Sequence, residues 1–179
     1  RRARRGGLAG VVGTLMTNLA LERALGELGV GFARAKVGDR YVLELLQEKG
    51  WDLGGENSGH IICLDKHTTG DAIVSGLQVL AAVREEGRDL AAVAGALSLY
   101  TQRLINVPVM RGFDWERNAA IARARTAAEQ RLGTAGRLLL RASGTEPVLR
   151  VMVEGEDGGL VEGVAAELAG VVERAAAAA

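Results

Sequence analysis

Arg141 and Arg150 bracket a short segment, Arg141-Ala142-Ser143-Gly144-Thr145-Glu146-Pro147-Val148-Leu149-Arg150, that holds two hydroxyls and a glycine. Forked guanidinium donors, O–H donors and free backbone N–H groups in so short a span can converge on one anion, and a phosphate requires such a set. Gly144 lets the backbone turn and approach closely, while Pro147 fixes where the chain re-enters a strand. A polar β-turn with two solvated arginines would have the same composition. A second segment, Gly54-Gly55-Glu56-Asn57-Ser58-Gly59-His60, mixes acceptors and donors on a backbone that three glycines free to fold tightly. Vicinal hydroxyls, as on a sugar, match it: a carboxylate accepts two O–H groups while a serine or imidazole completes the pattern. A flexible polar loop is the competing reading. In the third segment, Lys36-Val37-Gly38-Asp39-Arg40-Tyr41, Lys36 and Arg40 could reach an anion over the carboxyl end of a strand. Alternatively, Arg40 pairs Asp39 in a capped helix.

Other chemistries fail on residue count. The two histidines, His60 and His67, and the single Cys63 make at most a loose cluster, and strand alternation puts Cys63 on the face opposite His60, so no metal site is expected. None of the four serines, Ser58, Ser75, Ser98 and Ser143, sits in a G-x-S-x-G elbow, and no phosphate-binding G-x-x-x-x-G-K-[ST] or G-x-G-x-x-G loop occurs. Lys and Arg number 22 against 22 Asp and Glu, so no bulk charge is available to hold a polyanion. Only two each of Phe, Trp and Tyr leave too few rings for base stacking, and no nucleic-acid partner is expected. Apolar runs such as 61–64 fall far short of the ~18 residues of a membrane span. The basic start, Arg1-Arg2-Ala3-Arg4-Arg5, lacks the apolar region of a secretion signal. A lone cysteine makes no internal disulfide and suits a reducing cytoplasm.

The elements that must position these segments alternate. The patterning predicts strands over 10–16 and 31–37, and helices over 18–28 and 40–49 with Asp39 as N-cap and Gly50 as stop. A glycine-rich loop then runs into a strand ending near Leu64. A long amphipathic helix over 72–86 follows, with Ile73, Leu77, Leu80 and Ala81 on one face, then a short helix over 90–97. Beyond Tyr100 come a strand (103–109), a helix (115–132), two facing strands (137–141 and 148–154) and a last helix (160–174). The expectation is an α/β module with a mixed β-sheet and flanking helices over 1–99, then a smaller β-α-β-β-α module, α+β with an antiparallel sheet and two helices, over 100–179.

In this order and spacing, the three segments resemble the C-terminal half of the α-D-phosphohexomutase superfamily. Gly55-Glu56-Asn57-Ser58-Gly59-His60 resembles the sugar-recognition loop of the third domain, and Arg141-Ala142-Ser143-Gly144-Thr145-Glu146-Pro147 with Arg150 resembles the phosphate-binding loop of the fourth. Lys36 to Tyr41 is similar to the third-domain motif of members acting on glucosamine rather than glucose or mannose phosphates. The resemblance implies a hexosamine phosphate substrate that changes from 6-phosphate to 1-phosphate through a bisphosphorylated sugar. It implies that Glu56 and Ser58 hold sugar hydroxyls with His60 nearby and Asn57 among the substrate-binding residues, that Arg141, Ser143, Gly144, Thr145 and Arg150 clamp the phosphate not being transferred, and that Lys36 and Arg40 add charge near the reacting end. It also implies a phosphoserine in a first domain and a Mg²⁺ held by an aspartate-rich loop in a second. No Asp-Gly-Asp occurs here, and neither Ser58 nor Ser143 has a phosphoserine's neighbours. The chain is therefore expected to be a piece that binds no metal, has no catalytic residue of its own, is inactive alone and takes upstream domains of the same enzyme as its partner. A glucose or mannose member, or a non-catalytic sugar-phosphate-binding module, stays open.

Overall fold

The computed structural model describes residues 6–178. Contacts divide the chain into two compact units, one ending at Leu99 and the other starting at Tyr100.

The first unit is organised around β1 (Gly10–Thr14), a short apolar strand that pairs in parallel with β2 (Gly31–Ala35) and with β3 (Leu53–Gly55); β3 pairs antiparallel with β4 (Ile61–Cys63). The sheet order is β2-β1-β3-β4, a mixed sheet as expected. Between β1 and β2 runs α1 (Leu19–Glu27), started by Asn18, whose side chain accepts from Ala20 N, and followed by Gly29 at φ 70°. Between β2 and β3 runs α2 (Asp39–Lys49), ended by Gly50 in the left-handed conformation. Val42 and Leu46 of α2 are fully buried against Val12, Ala35 and Ile62 of the sheet, and Trp51 packs beside them. Gly54 is required there: a Cβ on it would stand 2.7 Å from Val42 Cγ1 and 2.9 Å from Val12 O, so α2 could not lie this close to β3.

After β4, α3 (Ala72–Glu86) is capped by the Asp71 side chain, which accepts from Val74 N at 2.8 Å, and α4 (Leu90–Ala94) follows. The expected apolar stripe of α3 is real in sequence but faces outward: Ile73, Leu77 and Leu80 are 76%, 58% and 64% exposed, and Ser75 is the buried residue.

The second unit is a three-stranded antiparallel sheet, order β5-β7-β6, built from β5 (Thr101–Pro108), β6 (Gly136–Ala142) and β7 (Val148–Gly155). Its helices are α5 (Ala119–Leu132) and α6 (Gly158–Ala177). Alternation sends Leu149, Val151 and Val153 of the central strand into a core with Ile121, Ala128, Leu132, Val164, Leu168 and Val172 of the two helices. The other face of the same strand carries Arg150, Met152 and Glu154. Glu154 is fully buried, accepting from Gln102 Nε2 at 2.7 Å and pairing with Arg137.

Three local expectations are corrected. Asp39 is not the N-cap of α2: Gly38 occupies that position at φ 128°, and Asp39 is already helical. The α5 helix starts after Asn118, whose carboxamide accepts from Ala120 N and Ile121 N and so outcompetes an earlier start at Trp115. The glycine-rich run ahead of the loop is strand β3.

Candidate functional site

Three loops follow the carboxyl ends of the parallel strands of the first unit, and hydrogen bonds join them. Residues 15–18 follow β1, residues 36–38 follow β2 and residues 56–60 follow β3. The first is held by Thr14 N donating to Thr17 Oγ1 at 2.8 Å and Met16 N donating to Thr14 Oγ1 at 3.2 Å. Arg34 Nη1 donates to the carbonyls of Thr14 and Thr17, while Arg34 also pairs with Glu22 at 2.7 Å. Asn57 Nδ2 donates to Met16 O at 3.2 Å, tying the third loop to the first. Gly38 N donates to Glu56 Oε2 at 3.1 Å, tying the second to the third; φ 128° here is open to glycine and strained for other residues.

Glu56 is the hub. Its side chain is 10% exposed; Oε1 accepts from Ser58 Oγ at 2.7 Å and lies 3.4 Å from His60 Nδ1. Ser58 Oγ is 2.8 Å from His60 Nδ1. Because the Ser58 hydroxyl donates to Glu56, it must accept from His60, which puts a proton on Nδ1 and leaves Nε2 outside this hydrogen-bonded set. A carboxylate has about four acceptor sites, so Glu56 keeps capacity for an arriving O–H. Lys36 and Arg40 flank the Tyr41 ring, 5.7 Å and 5.8 Å from its centroid. Arg40 pairs with Glu44 at 2.9 Å rather than with Asp39, and this contact raises its pKa further above the ordinary arginine value. A cavity of about 520 Å³ opens beside the loop, touched by Glu56, Asn57 and His60, but Leu21, Leu25, Val79 and Ala82 make its walls aliphatic and unsuited to hydroxyls.

In the second unit, the β6–β7 connection is a tight turn: Ser143 N donates to Val148 O at 3.0 Å and Val148 N to Glu146 O at 2.9 Å. Ser143 Oγ is approached by Thr145 N, Glu146 N and Arg150 Nη2, all at 3.3–3.4 Å, long contacts that leave these donors weakly held. Arg141 and Arg150 are register partners, directly opposite each other on one face. Like charges so placed destabilise an antiparallel pair unless an anion joins them. Glu146 contacts Arg150 only at 3.4 Å and is 61% exposed. Arg150 Nε is buried with no hydrogen-bond partner among the described residues.

The structure thus joins Glu56, Asn57, Ser58 and His60 in one loop, sets Lys36 and Arg40 around Tyr41 in the adjoining segment that Gly38 N ties to Glu56, and gathers Arg141, Ser143, Gly144, Thr145 and Arg150 around one turn. Sequence reading missed Thr14, Thr17 and Arg34, which shape the loop that Asn57 holds. It also missed Arg111, which lines a cavity of about 240 Å³ with Phe113, Ser143, Gly144 and Thr145. The β5–β7 pairing, extended by Val109 N donating to Pro147 O at 2.9 Å, brings Arg111 there, and no local signal carries it. Among the described residues no three His, Cys, Asp or Glu side chains converge, so the Mg²⁺ implied by the resemblance finds no fitting donor set in them. No described helix is long and apolar enough to cross a membrane.

Comparisons with known proteins place both units in one family and match their fold. The family model described as phosphoglucomutase/phosphomannomutase, alpha/beta/alpha domain III, matches residues 1–100, and that of the C-terminal domain matches residues 104–171. The phosphoglucosamine mutase of Aromatoleum aromaticum is 62% identical over 174 residues, which are 97% of this chain and 39% of that protein. That of Dechloromonas aromatica is 62% identical over 175 residues, 98% of this chain and again 39% of the relative. The chain therefore spans about two fifths of the length of the curated relatives it matches. Among solved structures, Aspergillus fumigatus N-acetylphosphoglucosamine mutase superposes with a TM-score of 0.80 at 21% identity, over 98% of this chain and 40% of that one. The same enzyme in complex with GlcNAc-6P and magnesium gives 0.76 at 21% identity, over 98% of this chain and 41% of that one. The chain belongs to the phosphoglucomutase/phosphomannomutase family and corresponds to its third and C-terminal domains.

Proposed function

We propose that this chain supplies the sugar-reading and phosphate-holding part of a phosphoglucosamine mutase, an isomerase interconverting glucosamine 6-phosphate and glucosamine 1-phosphate through a bisphosphorylated intermediate. The observation that carries the reading is the Arg141–Arg150 pair: two guanidinium groups in direct register beside a turn of weakly held N–H and O–H donors. A dianionic phosphate converts their repulsion into two charge-assisted contacts. Guanidinium and amide donors read charge and tetrahedral shape without regard to which carbon bears the ester, and an intermediate that presents first one end and then the other requires this indifference.

In the first unit, Glu56 and the outer nitrogen of His60 meet sugar hydroxyls, with the ring held through Ser58. Asn57 holds the loop in place through Met16 O. Lys36 and Arg40 contribute positive charge at the same edge. The reacting groups, a phosphoserine and a Mg²⁺ that neutralises developing charge, belong to upstream domains of the same protein, so this polypeptide holds the substrate without turning it over. The working compartment is the cytoplasm.

Two assays test the reading. The chain alone, given glucosamine 6-phosphate and Mg²⁺, is expected to produce no 1-phosphate, and clear turnover would overturn the division of labour. Fused behind the upstream domains of the Dechloromonas aromatica relative, it is expected to restore turnover that Arg150→Ala then lowers at least tenfold, the scale of one lost charge-assisted contact. A folded fusion whose activity is indifferent to Arg150→Ala would overturn the phosphate assignment.

A further inference from the structure

The helix-free face of the second sheet is ordered in rows, one residue from each strand. Gln102, Glu154 and Arg137 form one row, Leu104, Met152 and Leu139 the next, and Asn106, Arg150 and Arg141 the third. The first row is closed: the Glu154 carboxylate satisfies both its neighbours. The third is open. Ile105 and Val107, on either side of Asn106, pack into the core beneath the helices, so Asn106 emerges on the arginine face, where it is exposed. Among the described residues its carboxamide has no polar partner, and the Arg150 Nε–H is buried without an acceptor.

A buried donor without a partner carries a desolvation cost that native structures rarely leave standing. Because Nε is buried, a ligand arriving over the surface reaches the Nη edge of Arg150 and not Nε. The acceptor must therefore come from the protein. Ser143 and Glu146 already face Nη2, Arg141 has no acceptor, and Pro108, Leu104 and Leu139 on the diagonals have none in their side chains. Asn106 lies directly opposite Arg150, where Cβ atoms are about 4.5–5.5 Å apart. Asn106 is thus the acceptor-bearing side chain directly across from Arg150 in the register.

We infer that Asn106 is a positioning residue for Arg150: its side-chain oxygen accepts the Nε–H when an anion engages the Nη edge, aiming the guanidinium fork along the row. This inference rests on the anion-cradle reading of the β6–β7 turn. Glu154 plays the corresponding part for Arg137 two rows away, so one sheet face holds an ion pair at one end and an arginine aimed outward at the other.

The test is a titration of the ¹⁵N-labelled chain with inorganic phosphate, following the Ser143–Thr145 amides and the Arg150 Nε–H signal in wild type, Asn106→Ala, Asn106→Asp and Arg141→Ala. In wild type, phosphate is expected to shift the loop amides and slow exchange of the Arg150 Nε–H. Asn106→Ala is expected to weaken phosphate about threefold to tenfold, the range of one ordinary hydrogen bond, and to leave Nε–H exchange fast at saturation. Asn106→Asp, which keeps the acceptor, is expected to slow that exchange even without phosphate. Wild-type affinity and unchanged Nε–H behaviour in Asn106→Ala, with Arg141→Ala still weakening phosphate, would overturn this inference alone. Failure of wild type to bind phosphate, or indifference to Arg141→Ala, would overturn the cradle and this inference with it.

Discussion

The loop after β3 and the turn between β6 and β7 are both short, polar and glycine-containing, yet they are prepared for ligand in opposite ways. Around Glu56 the polar atoms are joined before anything binds: Gly38 N, Ser58 Oγ and His60 Nδ1 converge on one carboxylate, and Asn57 fastens the loop to its neighbour. Around Arg150 two cations face each other, a turn offers donors at long range, and one N–H has no partner among the described residues. Hydroxyls are neutral and directional, so a site that reads them gains from acceptors already fixed in place, which lowers the ordering cost on binding. A phosphate brings its own charge, and a site for it can leave unbalanced cations that the ligand completes. In the first region function and stability coincide; in the second they oppose each other.

The comparison can be broken or sharpened at four places, in falling order of effect. Glu154→Ala removes the carboxylate that closes the first row of the second sheet and strands the half-buried Arg137. The expected loss is about 3–5 kcal/mol in denaturant unfolding, toward the lower end because the Arg137 side chain is 19% exposed. Glu56→Ala leaves the Gly38 N–H, Ser58 and His60 without their hub, with an expected loss of about 1–3 kcal/mol and faster exchange of the Gly38 amide. Arg141→Leu has the opposite sign: it relieves like-charge repulsion with Arg150 and is expected to stabilise the ligand-free chain by about 0.2–1 kcal/mol in the same unfolding experiment. A chain destabilised by Arg141→Leu would mean that the pair is not frustrated.

The smallest effect is a pH dependence at the start of α3, which Ser75 ties to β4 by donating to Ile61 O at 2.9 Å. The Asp71 pKa lies below its ordinary value, chiefly because its carboxylate accepts from Val74 N. A lowered folded-state pKa means the cap contributes fully above the ordinary aspartate range and is lost as pH falls through the lowered value. Protection of the first-turn amides of α3, measured relative to their intrinsic exchange rates, is expected to fall on acidification through that range and to hold steady in Asp71→Ser, which caps without charge.

How much of this was legible depended on how local each cause is. The α3 bounds, Ala72–Glu86, follow from a run of helix formers between an aspartate cap and a glycine stop. The order of strands and helices in the second unit follows from alternation. By contrast, β3 is Leu-Gly-Gly, with nothing in its composition to mark a strand; its conformation comes from partners Val11 and Val12 on one side and 61–63 on the other. The outward stripe of α3 was illegible for a related reason, since periodicity shows that a face exists and not what lies against it. The motif residues were legible by type and spacing, whereas the Glu56 hub and the Arg141–Arg150 register were not, because each depends on pairing between segments distant in sequence.

The central claim is that the β6–β7 turn is built to be completed by a phosphate. Calorimetric titration of the chain with glucosamine 6-phosphate and with glucosamine, in wild type and in the Arg141→Ala/Arg150→Ala double variant, tests it most directly. Wild type is expected to prefer the phosphorylated sugar by at least tenfold, the worth of one charge-assisted contact, and the double variant to bind both sugars alike. A double variant that retains the wild-type preference for glucosamine 6-phosphate would contradict the claim.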